Sequence, residues 1–170
     1  MADVILDSSV LGDFFAQFFS ASIANRGRGR FVKDRFLSLG AARELNRILL
    51  SHKSDEQASA DLVIISPFAF VEMARRWDDI ALNRFSIEQV EAFSQQPPDW
   101  VSVATWDETL LPAFLDVPTH VWLRGESRAI EWTDAIHAAT ALARGDSNFL
   151  ATSDSRLLAL EKAGVKVRCV

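Results

Sequence analysis

The sequence predicts an α/β domain of three layers, α/β/α, with a central, mostly parallel sheet covered by helices on both faces. Three observations carry this. The chain has 170 residues, 49% of them hydrophobic and 24% charged, the size and balance of one globular domain with a buried core. Short apolar runs of strand length recur along it. Between them lie stretches with helical spacing and capping residues, and strands alternating with helices form parallel sheets. A single domain over 1–170 is expected, with an expanded helical and loop region around 21–60.

The elements follow in order. Val4-Ile5-Leu6 reads as a buried first strand ending at Asp7. Ser8 and Ser9 can cap a helix over Leu11–Ser20. Asn25–Arg30 is a basic loop punctuated by Gly27 and Gly29. Phe31, Val32, Arg35, Phe36 and Leu39 have helical spacing, repeated by Leu45, Ile48 and Leu49 after Gly40. Lys53–Ala60 is polar and reads as a loop. Leu62–Ser66 is a second buried strand, and Pro67 suits the first turn of a helix running to about Trp77. Ser86–Gln89 and Thr105–Glu108 have capping-box patterns. Pro97-Pro98 breaks the chain before a third strand, Val101–Ala104. Thr133 can cap a helix over Asp134–Arg144, which Gly145 ends. Phe149–Thr152 is a strand, Ser155–Ala163 a helix stopped by Gly164, and Val165–Cys169 a last strand.

Composition narrows the function. The longest apolar stretch, Leu62–Val71, is interrupted by Ser66 and Pro67 and falls short of the ~20 residues of a membrane span. Asp3 and Asp7 stand where a secretory signal would be basic. One cysteine, Cys169, excludes an internal disulfide and a cysteine zinc cluster. A cytoplasmic protein without membrane contact is expected. The net charge of −5 argues against a nonspecific nucleic-acid coat. Setting aside four carboxylates leaves acids and bases nearly balanced, so a nucleic-acid enzyme is not excluded.

Those four are Asp7, Glu72, Asp134 and Asp154. In open α/β sheets, functional groups collect beyond the carboxyl ends of the strands. Asp7 ends the first strand, Glu72 lies in the helix after the second, Asp134 opens a helix, and Asp154 follows the strand Phe149–Thr152. Carboxylates brought together repel and bind protons more readily unless a cation compensates. Mg²⁺ and Mn²⁺ accept such hard oxygen ligands, and their common chemistry is phosphodiester hydrolysis. Each acid also has a plain structural reading. Asp134 can complement a helix dipole, Asp154 can form an Asx turn, and Glu72 can lie on an exposed helix face. It is the set of four that points to a site.

The residues carrying these acids resemble the motifs of PIN domains, the metal-dependent ribonuclease fold of VapC-like toxins. Val4-Ile5-Leu6-Asp7-Ser8-Ser9-Val10-Leu11 is similar to the family's opening strand and first acid. Ser66–Arg75 holds Glu72 where the second acid is expected. Asp134-Ala135-Ile136-His137-Ala138-Ala139-Thr140-Ala141-Leu142 resembles the Asp-Ala-x-x-x-Ala-x-Ala helix, and Leu150–Asp154 the Thr-x-Asp motif. The resemblance covers roughly residues 1–20, 62–77 and 130–168. It implies that Asp7, Glu72, Asp134 and Asp154 surround Mg²⁺ or Mn²⁺, with hydroxyl support from Ser9 and Thr152. It further implies an RNA substrate, an antitoxin protein from the same operon, and a homodimer. Residues 80–125 carry no motif of the family.

Other features admit two readings. Arg26, Arg28 and Arg30, with Lys33 and Arg35, can hold RNA phosphates or form a solvated loop. Arg75, one turn after Glu72, can meet a phosphate or pair with a surface acid. Phe14, Phe15, Phe18 and Phe19 are expected in the core, with width left over for a dimer or antitoxin contact. Trp77, Trp100, Trp106, Trp122 and Trp132 can stack on bases or serve core and interface. His52, His120 and His137 share no ligand spacing; His137, one turn from Asp134, can approach the site, with packing the plainer reading. Two alternatives to the metal-dependent endoribonuclease are a phosphatase using Asp7 and a catalytically silent PIN-like module that binds RNA or protein. The phosphatase motif needs a second Asp at position 9, which is Ser.

Overall fold

The computed structural model describes residues 2–20, 29–33, 37–52, 61–75 and 84–170. Its centre is a five-stranded sheet, every pair of which is parallel. The strands are β1 (Val4–Leu6), β2 (Val63–Ile65), β3 (Val101–Val103), β6 (Phe149–Thr152) and β7 (Val167–Cys169), in the order β3-β2-β1-β6-β7. Leu6 pairs with Ile65 on one side and Ala151 on the other, and Ile65 pairs with Val103, so the carboxyl ends lie level.

Alternation along each strand divides the core into two layers. Val4, Leu6, Val63, Ile65, Val101, Phe149 and Ala151 face one side. They meet α1 (Ser8–Phe18), α2 (Leu39–Ser51), α3 (Ala69–Arg75) and α4 (Ile87–Gln95) through Phe14, Phe15, Leu45, Ile48, Met73 and Phe93. Ile5, Ile64, Leu150 and Val167 face the other side. There they meet α5 (Leu110–Asp116), α6 (Trp132–Ala143) and the 3₁₀ helix Ser155–Ala163. Helices on both faces of a parallel sheet make the three-layer α/β/α fold, and strands covered on both faces need the continuous apolar runs seen in this sequence.

Several boundaries differ from the sequence expectation, each for a local reason. Asp7, not Ser8 or Ser9, caps α1, and its carboxylate accepts the Val10 N–H. Phe31 and Val32 are not helical, and α2 begins at Leu39 with Gly40 inside it. At Thr105–Glu108 no capping box forms. Asp107 instead accepts the N–H groups of Thr109 and Leu110, and α5 starts at Leu110. Thr133 lies inside α6, whose cap residue is Glu131. The capping box at Ser86 and Gln89 forms as expected. The sheet is wholly parallel, in keeping with the expected fold; the antiparallel pair is a separate hairpin, β4 (His120–Leu123) and β5 (Glu126–Ala129). Its two-residue turn, Arg124-Gly125, takes positive φ at both positions, the primed geometry that matches strand twist. The residues Asn25–Arg28, Arg35, Phe36, Lys53–Ala60 and Trp77 lie outside the described residues.

The broad aromatic face of α1 is used within the core. Phe14 and Phe15 are both fully buried, and Phe18 and Phe19 pack against the same layer. Phe93 of α4 meets Phe14, Phe15, Phe18 and Phe19 edge-on, and Trp100 closes the cluster over Phe14 and Phe18. No helix among the described residues is long and apolar enough to cross a membrane.

Candidate active site

The strand order changes direction between β1 and β6. β1, β2 and β3 run outward to one edge, and β6 and β7 to the other. In open α/β sheets, the crevice at such a switch point, beyond the strands' carboxyl ends, is where ligands bind. Here the residues leaving β1 and β6 are tied together. Asp7 N–H donates to the Ala151 carbonyl at 3.3 Å, and Ser153 N–H donates to Ser9 Oγ at 3.1 Å.

Asp7 is 4% exposed. Its Oδ1 accepts from Ser9 Oγ at 2.6 Å and from Val10 N–H at 3.0 Å, and the Thr152 hydroxyl also supports it. Burial nevertheless pushes its carboxyl above the ordinary value, outweighing these bonds. Ser9 and Thr152 thus stand at the first acid, and Thr152 Oγ1 also accepts the Asp154 N–H at 2.9 Å.

Glu72 is placed by α3, which starts shortly after β2. Its Oε2 accepts from His137 Nε2 at 2.7 Å, and the Thr133 and Ser8 hydroxyls also reach it. Burial pushes Glu72 up, but the bond and charge of His137, with the two hydroxyls, bring its carboxyl below the usual value. Asp134 lies in the first turn of α6. Burial raises it to about 6, and the charges of Glu131, Glu72 and Asp7 add to the rise against the opposing effect of His137. No hydrogen bond or ion pair to the Asp134 carboxylate is formed among the described residues.

Asp154 is arranged differently. It caps the 3₁₀ helix, accepts the Arg156 N–H at 2.9 Å, and pairs with the Arg156 guanidinium. That bond holds its carboxyl below the usual value. Arg156 also feels the charges of Asp134 and Glu131. The structure therefore brings Asp7, Glu72 and Asp134 into one electrostatic cluster and turns Asp154 toward Arg156. Among the described residues, no three His, Cys, Asp or Glu side chains come close enough to hold a metal ion as they stand. Arg30 and Arg75 are exposed; Arg26 and Arg28 lie outside the described residues.

Two further groups stand at this edge. His137, for which the sequence offers core packing first and approach to the site second, is a polar member of the cluster, with its other ring nitrogen 2.6 Å from Ser66 Oγ. Its spacing of one helical turn from Asp134 was the available signal. The other group is aromatic. Phe68, one turn before Glu72, meets Trp106 and Trp132 edge-on at 5.9 and 5.4 Å. Trp132 lies two residues before Asp134, and both indoles are about half exposed. Of the other tryptophans, Trp100 packs on the core and Trp122 is exposed on the hairpin.

Compared with family models, curated proteins and solved structures, the chain matches none.

Proposed function

We propose that this chain is a PIN-type, Mg²⁺- or Mn²⁺-dependent endoribonuclease that hydrolyses RNA phosphodiesters, the toxin of a type II toxin–antitoxin pair. The observation that carries the enzymatic part is the raised Asp134 carboxyl, without a hydrogen-bonding partner among the described residues, beside Asp7 and Glu72 at the switch point of a parallel sheet. Such a cluster is unfavourable in itself, and a divalent cation would relieve it. Its hard oxygen donors fit such an ion in type and charge. Asp7, Glu72, Asp134 and Asp154 would hold it. Once bound, the ion would supply Lewis acidity toward the attacking water and the leaving oxygen.

The chain's own groups have separate tasks. Ser9, Thr152 and the Val10 N–H orient Asp7. Asp134 holds a proton below about pH 6 when no cation is present. Phe68, Trp106 and Trp132 offer ring faces to unpaired bases beside the acids. Arg30 and Arg75, with Arg26 and Arg28, are candidates for phosphate contacts. The toxin role, the antitoxin, the homodimer and the cytoplasmic location rest on the motif resemblance.

The test is end-group analysis of RNA cut by purified protein with Mg²⁺, Mn²⁺ or chelator. Cleavage that needs the ion and leaves 5′-phosphate and 3′-hydroxyl ends is expected. Undiminished cutting in chelator, or 2′,3′-cyclic phosphate ends, would overturn the mechanism. A second reading, a catalytically silent PIN-like module, is favoured by one observation: Glu72 and Asp154 are already engaged, with His137 and Arg156. RNA binding without ion-dependent cleavage would select it.

A further inference from the structure

Ser66, His137 and Glu72 form a chain of hydrogen bonds that the motifs do not assign. Ser66 is fully buried just beyond β2, and the His137 ring is 1% exposed on α6. Ser66 Oγ lies 2.6 Å from His137 Nδ1, and Glu72 Oε2 lies 2.7 Å from His137 Nε2. An ionised carboxylate only accepts, so Nε2 carries a hydrogen and donates it to Glu72; the Ser66 hydroxyl can take either role at Nδ1. A buried imidazole is costly unless its nitrogens are paired, and here both are. Glu72 has the opposite problem. It sits on a seven-residue helix between exposed Val71 and buried Met73, and its own side chain is partly exposed. Fixing a free glutamate costs more rotamer entropy than fixing most side chains. A rigid donor built into α6 can hold it.

We propose that His137 is a positioning residue: anchored through Ser66 to the end of β2, its imidazole holds the Glu72 carboxylate toward Asp7 and Asp134. What Glu72 does rests on the nuclease reading; how Glu72 is held does not. The Ser8 and Thr133 hydroxyls share the carboxylate but come from side chains with their own rotation.

The first test uses metal-free protein without RNA. Three-bond couplings report the Glu72 rotamer, and ¹⁵N spectra report the His137 ring. Wild type should show one Glu72 rotamer and a protonated Nε2. His137→Leu should let Glu72 average over rotamers, and His137→Gln, whose amide can still donate, should restore the single rotamer. A role in packing alone would change the melting temperature and leave the rotamer as it was. A bare Nε2, or an unchanged Glu72 rotamer in His137→Leu, would overturn the proposal. Should that variant not fold, Ser66→Ala decides: it keeps the imidazole, frees its far side, and should loosen both ring and rotamer. The second test is Mn²⁺ titration by calorimetry. His137→Leu should weaken binding about 10–100-fold, the usual cost of removing a group that orients a ligand, while His137→Gln stays closer to wild type. If wild type binds no Mn²⁺ and cuts no RNA, the nuclease reading fails, and the rotamer measurement still decides how Glu72 is held.

Discussion

Asp7 serves two purposes at once, and its variants separate them. Its carboxylate caps α1 through the Val10 N–H and stands buried at the proposed site. Asn keeps an oxygen for the cap and removes the charge; Ala removes both. Asp7→Asn is therefore expected to fold with stability close to wild type, and Asp7→Ala to lose about 1 kcal/mol more, while both lose RNA cleavage. Denaturant unfolding and cleavage assays on the two variants check this. Asp134 gives a pH dependence of definite sign. A carboxyl raised in the folded state binds its proton more tightly there than in the unfolded chain. Its contribution to stability is therefore full below 3.8 and lost as pH rises through about 6. Bare linkage over that interval gives ~3 kcal/mol, which solvent screening of this part-exposed group reduces to on the order of 1 kcal/mol. In chelator, wild type should lose that much more stability than Asp134→Asn between pH 4 and 7 in urea titrations; parallel curves would show that burial does not raise the Asp134 carboxyl.

At the scale of elements, the helices that carry the site also carry the aromatic edge. Trp132 opens α6 and Phe68 precedes α3, so bases stacked on them would lie next to Asp134 and Glu72. Base stacking on an aromatic ring contributes ~1–3 kcal/mol. Trp132→Ala is expected to raise KM for unpaired RNA by roughly 5–150-fold at nearly unchanged melting temperature, whereas Phe14→Ala, in the fully buried cluster, should cost about 3–5 kcal/mol of stability. Steady-state kinetics and thermal melts distinguish the two. The central strands were readable because strands covered on both faces must be largely apolar, as Val4–Leu6 and Val63–Ile65 are throughout. The β4–β5 hairpin was not, because β5, Glu126–Ala129, is exposed throughout and its turn is Arg-Gly rather than a strong hairpin pair. The α1 cap was misplaced by a residue or two because Asp7, Ser8 and Ser9 are all able to cap, and only packing selects among them. The acids could be picked out by their places beyond strand ends. The engagement of His137 with Ser66 and Glu72 could not, since it joins residues 71 and 65 positions apart in the chain.

For the whole molecule, the order β3-β2-β1-β6-β7 is what makes distant acids neighbours, and it was not readable from local pattern. Periodicity gives strands and helices but not which strand lies beside which. The order places β1 in the centre, so the residue leaving it, Asp7, and Glu72 of α3 both act on Asp134 of α6. A ligand that joins these elements would stabilise the fold as a unit, because the unfolded chain has no assembled site. Mn²⁺ at a hundred times its dissociation constant should add about 2.7 kcal/mol, roughly 5–10 °C in Tm for a chain of this size. Protons compete for the same carboxylates. Asp134, raised to about 6, is largely protonated at pH 5 and ionised at pH 7.5. At one fixed Mn²⁺ concentration the rise in Tm should therefore be clear at pH 7.5 and shrink at pH 5. In Asp134→Asn it should be small at both, because the amide keeps the volume and loses the charge. Thermal melts of wild type and variant at the two pH values, with Mn²⁺ or chelator, give all the terms needed. An equal rise at both pH values, or a full rise in Asp134→Asn, would mean that the ion binds elsewhere on the molecule and that the cluster is a feature of the fold alone.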